Sequence, residues 1–326
     1  MGAEPLIRVT ALAGGFGGAK LSHGLALVAA ERAGLRLSVV VNTADDFELH
    51  GLHVSPDLDT VMYTLAGLAN ADTGWGLRDE TWSAAEMLAT YGAPTWFRVG
   101  DRDLATHVRR TERLGSGASL TQVTEELRRS LGVTASLLPM TDDRVRTQVR
   151  TDEGWLEFQE YFVRRGHADQ VRELRFEGLG AARPTSAVGR AIASAEAIVI
   201  APSNPFLSIA PILGLDGVAE AIRATGGPVV AVSPIVGGKA LRGPADRIIA
   251  SLGGEASALG IARHYAGSAP GLLNGLVIDT ADRAAASLVE RLGLAVRVTN
   301  TVMRTDADRA KLAADVLGFA EELVGA

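Results

Sequence analysis

Short apolar segments alternate with longer segments of helical periodicity along most of this 326-residue chain. The short segments are rich in valine, isoleucine and leucine, as expected for strands that are buried on both faces. We predict strands at residues 7–13, 37–41, 95–99, 133–138, 197–201, 229–233, 276–279 and 295–298. We predict helices at residues 19–33, 58–69, 120–131, 186–195, 216–224, 282–292 and 306–324. This alternation predicts a Rossmann-like, doubly wound α/β fold with a mostly parallel sheet.

One region departs from this pattern. Residues 146–150 and 155–158 read as two short strands around the turn sequence Thr-Asp-Glu-Gly, which predicts an antiparallel hairpin. We therefore predict a Rossmann-like core formed by residues 1–143 and 178–326, with residues 144–177 as an antiparallel insertion or small subdomain.

Composition narrows the class of protein. Hydrophobic residues make up 47% of the chain and charged residues 21%, and no 18-residue apolar run occurs, so we expect a globular protein that does not span a membrane. The absence of cysteine excludes disulfides, thiolate metal sites and a cysteine nucleophile. The first residues lack the pattern of a signal peptide, and we expect a cytoplasmic location. A net charge of −6 argues against broad nucleic-acid binding.

The first predicted strand runs directly into a glycine-rich segment, Gly14-Gly15-Phe16-Gly17-Gly18-Ala19-Lys20. A strand that ends in glycines before a helix aims backbone N–H groups and the positive end of the helix dipole at one point, which favours a phosphate or diphosphate. The segment does not match Walker A, because Lys20 is followed by leucine, or the dinucleotide fingerprint, because Lys20 replaces its last glycine. The alternative is a tight turn without a ligand.

Acidic residues follow the second predicted strand. Asn42, Asp45 and Asp46 come directly after it, and Asp57 and Asp59 lie a little further on, at the start of a predicted helix. Loops at the carboxyl ends of strands form the ligand crevice of a doubly wound sheet, so these side chains are expected near the glycine segment. Carboxylates beside a diphosphate suit magnesium, or one of them accepts a hydrogen bond or proton from a substrate hydroxyl. For Asp57, helix capping is an equal alternative.

A third polar segment begins at the end of the strand predicted at residues 95–99 and runs into a helix. It contains Arg98, Asp101, Arg102, Asp103 and His107. A guanidinium here suits a phosphate or an acidic substrate group. The alternative is a helix N-terminus that Asp101 or Asp103 caps.

Two proline-containing loops follow the strands predicted at residues 197–201 and 229–233. Rigid amide and hydroxyl groups at strand ends suit recognition of a base or a ribose phosphate, although each loop alone is also an ordinary turn. The candidate binding residues in these loops are Ser203, Asn204, Ser233, Pro234, Gly237 and Gly238.

Taken together and in order, the motifs resemble the 2-phospho-L-lactate transferase family of coenzyme F-420 biosynthesis, of the actinobacterial phosphoenolpyruvyl transferase type. The motifs that carry the resemblance are Gly-Gly-x-Gly-Gly-x-Lys, Val-Val-Asn-Thr-Ala-Asp-Asp, Ser-Pro-Asp-Leu-Asp-Thr-Val, Gly-Asp-Arg-Asp-x-Ala-Thr-His, Leu-Pro-Met-Thr-Asp-Asp, Pro-Ser-Asn-Pro and Val-Ser-Pro-Ile. The resemblance spans nearly the whole chain, from Gly14 to about Met303. The resemblance implies a magnesium-dependent transferase that moves a phospho-three-carbon-acid group from a guanosine diphosphate-linked donor to the ribityl hydroxyl of the deazaflavin Fo and releases GMP. It also implies a Rossmann-like fold and a homodimer.

The resemblance implies roles for individual residues. Asp59, Asp46 and Arg98 become the candidate catalytic residues, and Asp45, Asp46 and Asp59 the candidate magnesium ligands. Asp59 and Arg98 are implied to contact Fo, with Asp101, Arg102 and His107 as further candidate substrate-binding residues. The implied donor-binding residues are Gly14, Gly15, Gly17, Gly18, Lys20, Asn42, Ser203, Asn204, Ser233, Pro234, Gly237 and Gly238.

The chain departs from the methanogen-like glycine motif, Gly-Gly-Thr-Gly-Thr-Pro-Lys, at Phe16, Gly18 and Ala19. This removes the two hydroxyls of that motif and leaves its backbone groups. Two rival functions stay open: a nucleotide-sugar-binding regulator of the same fold, and a dehydrogenase, which the failed dinucleotide fingerprint disfavours. The sequence leaves open which three-carbon acid the donor carries, and the composition favours phosphoenolpyruvyl.

Overall fold

The computed structural model describes residues 7–324. Its strands are β1 (Arg8–Ala13), β2 (Arg36–Val41), β3 (Phe47–Leu49), β4 (Leu52–Val54), β5 (Ser136–Pro139), β6 (Arg146–Thr151), β7 (Gly154–Glu157), β8 (Glu173–Glu177), β9 (Ala197–Ile200), β10 (Val229–Val232), β11 (Ile235–Val236), β12 (Lys239–Ala240), β13 (Gly275–Asp279) and β14 (Ala295–Thr299).

The helices are α1 (Gly15–Glu31), α2 (Pro56–Leu65), α3 (Ser83–Thr90), α4 (Asp101–Gly115), α5 (Leu120–Ser130), α6 (Ser186–Ala193), α7 (Ala210–Leu213), α8 (Val218–Ala224), α9 (Ala245–Ser251), α10 (Ala258–Ser268), α11 (Ala286–Glu290) and α12 (Asp306–Val324). Two π-helical turns, Glu160–Arg164 and Pro205–Ile209, and one 3-10 turn, Thr280–Ala285, complete the regular structure of the described residues.

Seven of the strands form one parallel sheet in the order β14-β13-β10-β9-β1-β2-β5. The sequence order reverses between β1 and β9, which pair directly with each other in parallel. This arrangement confirms the predicted doubly wound α/β fold. Because ligands of such sheets bind beyond the carboxyl ends of the strands at the reversal point, the fold directs attention to the loops after β1 and β9.

Side chains that alternate between the two faces of the sheet divide the core into two layers. Val39 and Val41 of β2 pack into one apolar cluster with buried residues of α1, α2 and α12. Val40 faces the other side and packs into a second cluster with buried residues of α6, α8 and α10. Helices therefore cover both faces of the sheet, which explains why its strands are almost continuously apolar.

The predicted hairpin is confirmed, because β6 pairs with β7 in antiparallel register and β8 adds a third strand on the other side of β6. A separate apolar cluster lies under this small sheet, where Val149, Phe158 and Tyr161 pack with Leu207 and Ile248 of the core. These contacts join the small sheet to the rest of the molecule. The division of the chain at residues 144 and 177 stays a prediction.

The strand predicted at residues 95–99 is wrong, because these residues form no strand. Their aromatic and apolar pattern serves a cluster of rings instead: Phe47 lies 4.7 Å from Phe97 and 6.5 Å from Trp96, measured between ring centroids. The helix predicted at residues 282–292 is also divided, into a 3-10 turn and the short helix α11.

Among the described residues, no single helix is long and apolar enough to cross a membrane. Within the described part of the chain, one bent pair, Pro205–Leu213 and Val218–Ala224 at an angle of 79°, has the length and apolar composition of a span when its two helices are taken together. Buried residues of this pair, such as Ile212 and Val218, belong to the second core cluster.

Candidate active site

A cavity of about 770 Å³ opens beyond the carboxyl ends of the parallel strands. Residues from the loops after β1, β2, β9, β10 and β14 line it, together with the first turns of α1 and α2. Its volume lies within the usual range for small-molecule sites, roughly 300–1,000 Å³. The cavity therefore occupies the position that the fold predicts for a ligand.

Most of the residues predicted for the site meet at this cavity. Those that line it are Gly14, Gly15, Gly17, Lys20, Asp45, Asp59, Arg98, His107, Ser203, Asn204, Ser233 and Pro234. The other predicted residues, which do not line it, are Gly18, Asn42, Asp46, Asp101, Arg102, Gly237 and Gly238.

The glycine segment forms the first turn of α1 rather than a loop before it, since the helix begins at Gly15 and not near residue 19. Ser203 joins this turn to the loop after β9: its hydroxyl accepts a hydrogen bond from the Gly14 N–H (3.0 Å) and donates one to the Gly14 carbonyl oxygen (2.8 Å). The Gly15 N–H donates to a carboxylate oxygen of Asp57 at 2.8 Å. One backbone donor of the predicted phosphate cradle is thus engaged by a carboxylate.

Asp57 and Asp45 form a buried pair of carboxylates. The side-chain amide of Asn42 donates to an oxygen of each, at 3.0 Å to Asp57 and 3.1 Å to Asp45. Burial raises the pKa of Asp57 to about 6, although the hydrogen bonds from Asn42 and Gly15 oppose the shift. Burial and the charge of Asp57 raise the pKa of Asp45 well above its usual value. Asn42, predicted to bind ligand, instead holds these two acids together.

Several buried oxygen atoms in this region have no hydrogen-bond partner among the described residues. They include Thr43 Oγ1, Asp45 Oδ1 and Asp46 Oδ1. Such atoms are costly unless an ion or water satisfies them. Magnesium prefers oxygen ligands, and a divalent cation relieves repulsion between two carboxylates. The carboxylates of Asp45 and Asp57 therefore fit a magnesium-binding site.

Asp46 lies behind this pair. Its Oδ2 accepts a hydrogen bond from the Ser55 hydroxyl at 2.7 Å and lies 3.0 Å from His53 Nε2. Through these contacts Asp46 connects the loop after β2 to strand β4 and to the start of α2.

Asp59 is held by a residue that the sequence analysis did not single out. The guanidinium of Arg110 on α4 binds both carboxylate oxygens of Asp59, one of them at 3.0 Å, and both side chains are buried. Burial opposes the charge of Arg110, but the pairing with Asp59 outweighs it, and the pKa of Arg110 lies above its ordinary value. Asp59 therefore pairs with Arg110. Among the described residues, its carboxylate belongs to a group of three possible metal ligands with Asp103 and His107, and not with Asp45 and Asp46.

Around Asp59, ligand atoms of Asp59, Asp103 and His107 lie within 4.8 Å of one another. Tyr63 donates its hydroxyl hydrogen to Asp103 at 2.7 Å. Although three such groups can hold a metal ion, the guanidinium of Arg110 already supplies a positive charge among them. This group is thus a hydrogen-bonded network with its own cation.

Positive charge reaches the cavity from several elements. The Lys20 ammonium lies 4.4 Å from the centroid of the Phe16 ring and donates to the Met303 carbonyl oxygen at 2.6 Å, while the Arg242 guanidinium lies 4.5 Å from the same centroid. Burial lowers the pKa of Lys20, and the charges of Arg309 and Arg242 add to this effect. Phe16, which replaces a hydroxyl residue of the methanogen-like motif, therefore contacts two cations.

Arg98 is exposed and stacks on Trp82 with its guanidinium carbon 4.1 Å from the ring centroid. Aromatic side chains form much of the cavity wall near it, among them Trp75, Trp96 and Phe97. This wall suits a flat ring system, because aromatic faces stack on one another.

Asp101 and Arg102 lie at the start of α4, as the alternative interpretation had it, but neither Asp101 nor Asp103 caps this helix, whose N-cap residue is Gly100. Asp101 caps α3, accepting hydrogen bonds from the N–H groups of Ser83 (3.0 Å) and Ala84 (2.9 Å) and from the Thr81 hydroxyl (2.6 Å). These hydrogen bonds, led by that of Thr81, lower the pKa of Asp101. In return, Glu80 caps α4 by accepting from the N–H groups of Arg102 and Asp103, both at 2.9 Å.

The remaining predicted residues mainly shape loops. Asn204 caps the π-helical turn that follows it, and the Ser233 hydroxyl donates to the Ile235 carbonyl oxygen at 3.0 Å. Gly237 and Gly238 form the two-residue turn between β11 and β12, with φ of 57° and 81°. Because both positions are left-handed, this turn favours glycine.

Comparison with known proteins adds the decisive observation. The sequence profile of the family described as "2-phospho-L-lactate transferase CofD" matches residues 9–317. The chain belongs to this family. The chain is 44% identical to a "Phosphoenolpyruvate transferase" of Kitasatospora aureofaciens, with 97% of this chain and 99% of that protein covered. It is 40% identical to the "2-phospho-L-lactate transferase" of Methanopyrus kandleri, with 98% of this chain and 99% of that protein covered.

Membership of the CofD family confirms the resemblance inferred from the motifs, and the chain is thus a member of a transferase family. The solved structures of protein BH3568 from Bacillus halodurans, one of them titled as a member of the UPF0052 family, share the fold. Their TM-scores are 0.64 and 0.65 at 14% and 13% identity, and each covers 96% of this chain. At this identity the likeness concerns the fold alone.

For this CofD family member, sequence reasoning missed Arg110, Tyr63 and Arg242. Arg110 had a usable signal, because it follows Asp103 and His107 at spacings of seven and three, which places all three on one helical face. Arg242 had none, because its partners, the carbonyl oxygens of Asp72 and Thr73, are distant in sequence.

Proposed function

We propose that this chain transfers a phosphoenolpyruvyl group from a guanosine diphosphate-linked donor to the terminal ribityl hydroxyl of the deazaflavin Fo. GMP is released, and the product serves coenzyme F-420 biosynthesis. The observation that carries the proposal is that Lys20, the Asp45 and Asp57 pair and Asp59 line one cavity in a chain of the CofD family. One cavity thus offers groups for a diphosphate, for magnesium and for a hydroxyl.

The donor diphosphate binds at the start of α1 in this proposal. Lys20 and the N-terminal turn of the helix favour negative charge there, and Arg242 and Arg304 line the same cavity. The loops at Ser203 and Ser233 hold the guanosine. Since the Asp57 carboxylate engages the Gly15 N–H, a cation is needed between Asp57 and the diphosphate.

The residues proposed to hold magnesium are Asp45 and Asp57, for which the raised pKa values and the unpartnered Asp45 oxygen are the support. Magnesium bound there supplies charge neutralisation for the diphosphate oxygens. Asn42 keeps the two carboxylates close together through its hydrogen bonds to both. Asp46, in turn, supports their loop through Ser55.

Fo is proposed to lie against the aromatic wall, with its ribityl chain directed to Asp59 and its polar groups near Arg98. The Asp59 carboxylate accepts the hydrogen bond of the reacting hydroxyl and orients its oxygen. That oxygen bonds to the phosphorus that carries the three-carbon acid while its proton passes to the Asp59 carboxylate. The bond from this phosphorus to the bridging oxygen breaks, and GMP leaves with the electron pair of that bond. Positioning and charge neutralisation supply most of the acceleration in such a displacement.

Product analysis tests the proposal. The purified protein is incubated with magnesium, Fo and an equimolar mixture of the phosphoenolpyruvyl and phospholactyl guanosine donors, and the Fo products are separated by mass. We expect the phosphoenolpyruvyl adduct, as the similarity to the actinobacterial relatives suggests. The phospholactyl adduct alone would reverse the donor assignment. Tight binding of a nucleotide with both donors intact would favour the nucleotide-sensing alternative.

Two further features stay proposals. A homodimer in solution is expected from the family resemblance, and light scattering during gel filtration measures the mass of the assembly. A cytoplasmic location is expected from the composition, and fractionation of cells that express the protein tests it.

A further inference from the structure

Arg110 contacts two cavity residues without lining the cavity itself. It lies on α4 one turn after His107, and only 1% of its surface is exposed. Its guanidinium binds Asp59 and also approaches His107, and both of these side chains line the cavity. A single buried cation therefore contacts two groups that face the ligand.

The contact with Asp59 uses the whole fork of the guanidinium. Nη1 donates to Oδ2 at 3.0 Å, and Nη2 donates to Oδ1. Such a pair fixes the carboxylate plane, because both oxygens accept hydrogen bonds from one rigid group. An ionised carboxylate accepts about four hydrogen bonds, so Asp59 retains lone pairs for a donor in the cavity.

The contact with His107 decides which ring nitrogen carries the proton. Arg110 Nη1 lies 3.3 Å from His107 Nδ1, and a guanidinium has only donors. Nδ1 must therefore accept, and the hydrogen of the neutral ring lies on Nε2. Nε2 is 3.5 Å from a carboxylate oxygen of Asp103, and no group among the described residues forms a well-shaped hydrogen bond with it.

We propose that Arg110 is a positioning residue that holds Asp59 and His107 in opposite hydrogen-bonding roles. Asp59 is the acceptor for a donor in the cavity, whereas the Nε2–H of His107 is buried and faces the Asp103 carboxylate, so His107 does not act as a base. A ligand at this end of the cavity must therefore offer a hydroxyl to Asp59. Resting on the proposed function, this matches the attacking hydroxyl of Fo.

The tautomer of His107 is measured without any substrate. Protein labelled with ¹⁵N at its six histidines gives ring nitrogen signals whose shifts distinguish the two neutral tautomers. The His107 signal is assigned from its loss in His107→Gln. We expect the Nε2–H form, and an Nδ1–H form or a doubly protonated ring in the wild type would overturn the proposal.

Arg110→Gln removes the charge and the fork, so we expect a mixture of tautomers and a fall in kcat of about 100-fold with a smaller change in KM. Arg110→Lys keeps a cation that has only donors but lacks the planar fork, so we expect near-normal stability, a retained Nε2–H form and a smaller fall in kcat. The matched control is Arg109→Gln, an exposed neighbour that pairs with Glu112. It should leave both the tautomer and kcat unchanged.

Removing Arg110 alone leaves the Asp59 charge buried, and this variant can fail to fold. The double variant Asp59→Asn with Arg110→Met carries no buried charge at these positions and should again give mixed tautomers. Retention of a pure Nε2–H form in this double variant would contradict the proposal, because the Asp103 carboxylate beside Nε2 would then set the tautomer without Arg110.

The two proposals fail separately. The expected tautomer with no transfer from any donor overturns the proposed function and leaves the role of Arg110 intact. Transfer to Fo by a protein whose His107 carries its hydrogen on Nδ1 overturns the role of Arg110 and leaves the proposed function intact.

Discussion

Gly17 lies where α1 approaches the loop after β9. A Cβ atom built at Gly17 would overlap the carbonyl oxygen of Pro202, which is backbone and cannot rotate away. Gly17→Ala should therefore lower the free energy of unfolding by about 1–3 kcal/mol, as overpacking does. Gly189→Ala is the matched control, because Gly189 lies in a helix with open space around it and alanine should stabilise the protein by about 0.5–1 kcal/mol. Urea unfolding measures the free energy of unfolding of both variants. Equal changes in the two would contradict the close packing of Gly17 against Pro202.

Arg98 and Arg102 provide a second comparison between single residues. Arg98 lines the cavity, whereas Arg102 does not and donates to the Arg78 carbonyl oxygen at 2.9 Å. Arg98→Lys should lower kcat/KM for Fo about tenfold, because one charge-assisted hydrogen bond contributes about 1.5–3 kcal/mol. Arg102→Lys should change it less than about twofold. Steady-state kinetics with varied Fo concentration measures both values of kcat/KM. A larger fall in Arg102→Lys than in Arg98→Lys would assign the substrate contact to Arg102.

Residue types at strand ends predicted much of the site, because position in a doubly wound sheet brings such loops together. Asp59, Lys20 and Ser203 were found in this way and all line the cavity. The pairing of Asp59 with Arg110 depends on how α4 packs beside α2, which spacing along the chain does not reveal. The same is true of Asp57, whose carboxylate meets the start of another helix.

At the scale of elements, the starts of α3 and α4 are capped reciprocally: Asp101 of α4 caps α3, and Glu80, in the segment before α3, caps α4. Glu80 accepts from two N–H groups at the start of α4, which carries Asp103, His107 and Arg110. Glu80→Ala should lower the free energy of unfolding by about 0.5–2 kcal/mol, and Glu80→Gln by less, because glutamine keeps one acceptor.

Glu290→Ala, at an exposed position, is the control for Glu80→Ala. Its free energy of unfolding should stay within about 0.5 kcal/mol of the wild-type value. Hydrogen exchange at the first amides of α4 should accelerate in Glu80→Ala alone. Unchanged exchange there would show that Glu80 does not hold the helix start.

Periodicity predicted the long elements well and the short ones poorly. The bounds of α12 match the prediction at residues 306–324, because nineteen residues of amphipathic pattern leave little ambiguity. Residues 95–99 have the composition of a strand, yet Trp96 and Phe97 pack on Phe47 and no sheet edge accepts them. Helix α3, with no buried residue, gave no apolar stripe to detect.

At the scale of the whole molecule, the buried acids link folding to pH. The pKa of Asp57 is about 6 in the folded protein and 3.8 in the ordinary carboxyl, so folding takes up a proton between these values. Because the folded state binds more protons there, the free energy of unfolding of the magnesium-free protein should fall as pH rises from about 4 to 6 through this group. Asp45, whose pKa is also raised, acts in the same direction.

Magnesium should reverse this loss where the carboxylates are ionised. At pH 8, magnesium at 100 times its Kd should add about 2.7 kcal/mol to the free energy of unfolding, and at pH 4 it should add little. Asp45→Asn should weaken the response, and Asp216→Asn, on an exposed turn, should keep it. Thermal unfolding with and without magnesium measures these shifts, and an equal shift at both pH values would contradict the assignment of the ligands.

Transfer itself is the most direct test. The purified protein is mixed with Fo, the phosphoenolpyruvyl guanosine donor and magnesium, and the Fo adduct and GMP are quantified over time, with Asp59→Asn and a chelator as controls. We expect adduct and GMP to appear in equal amounts, and both controls to lose about 100-fold or more of the rate. GMP without adduct, or an adduct formed equally well by Asp59→Asn, would contradict the proposed transfer to Fo.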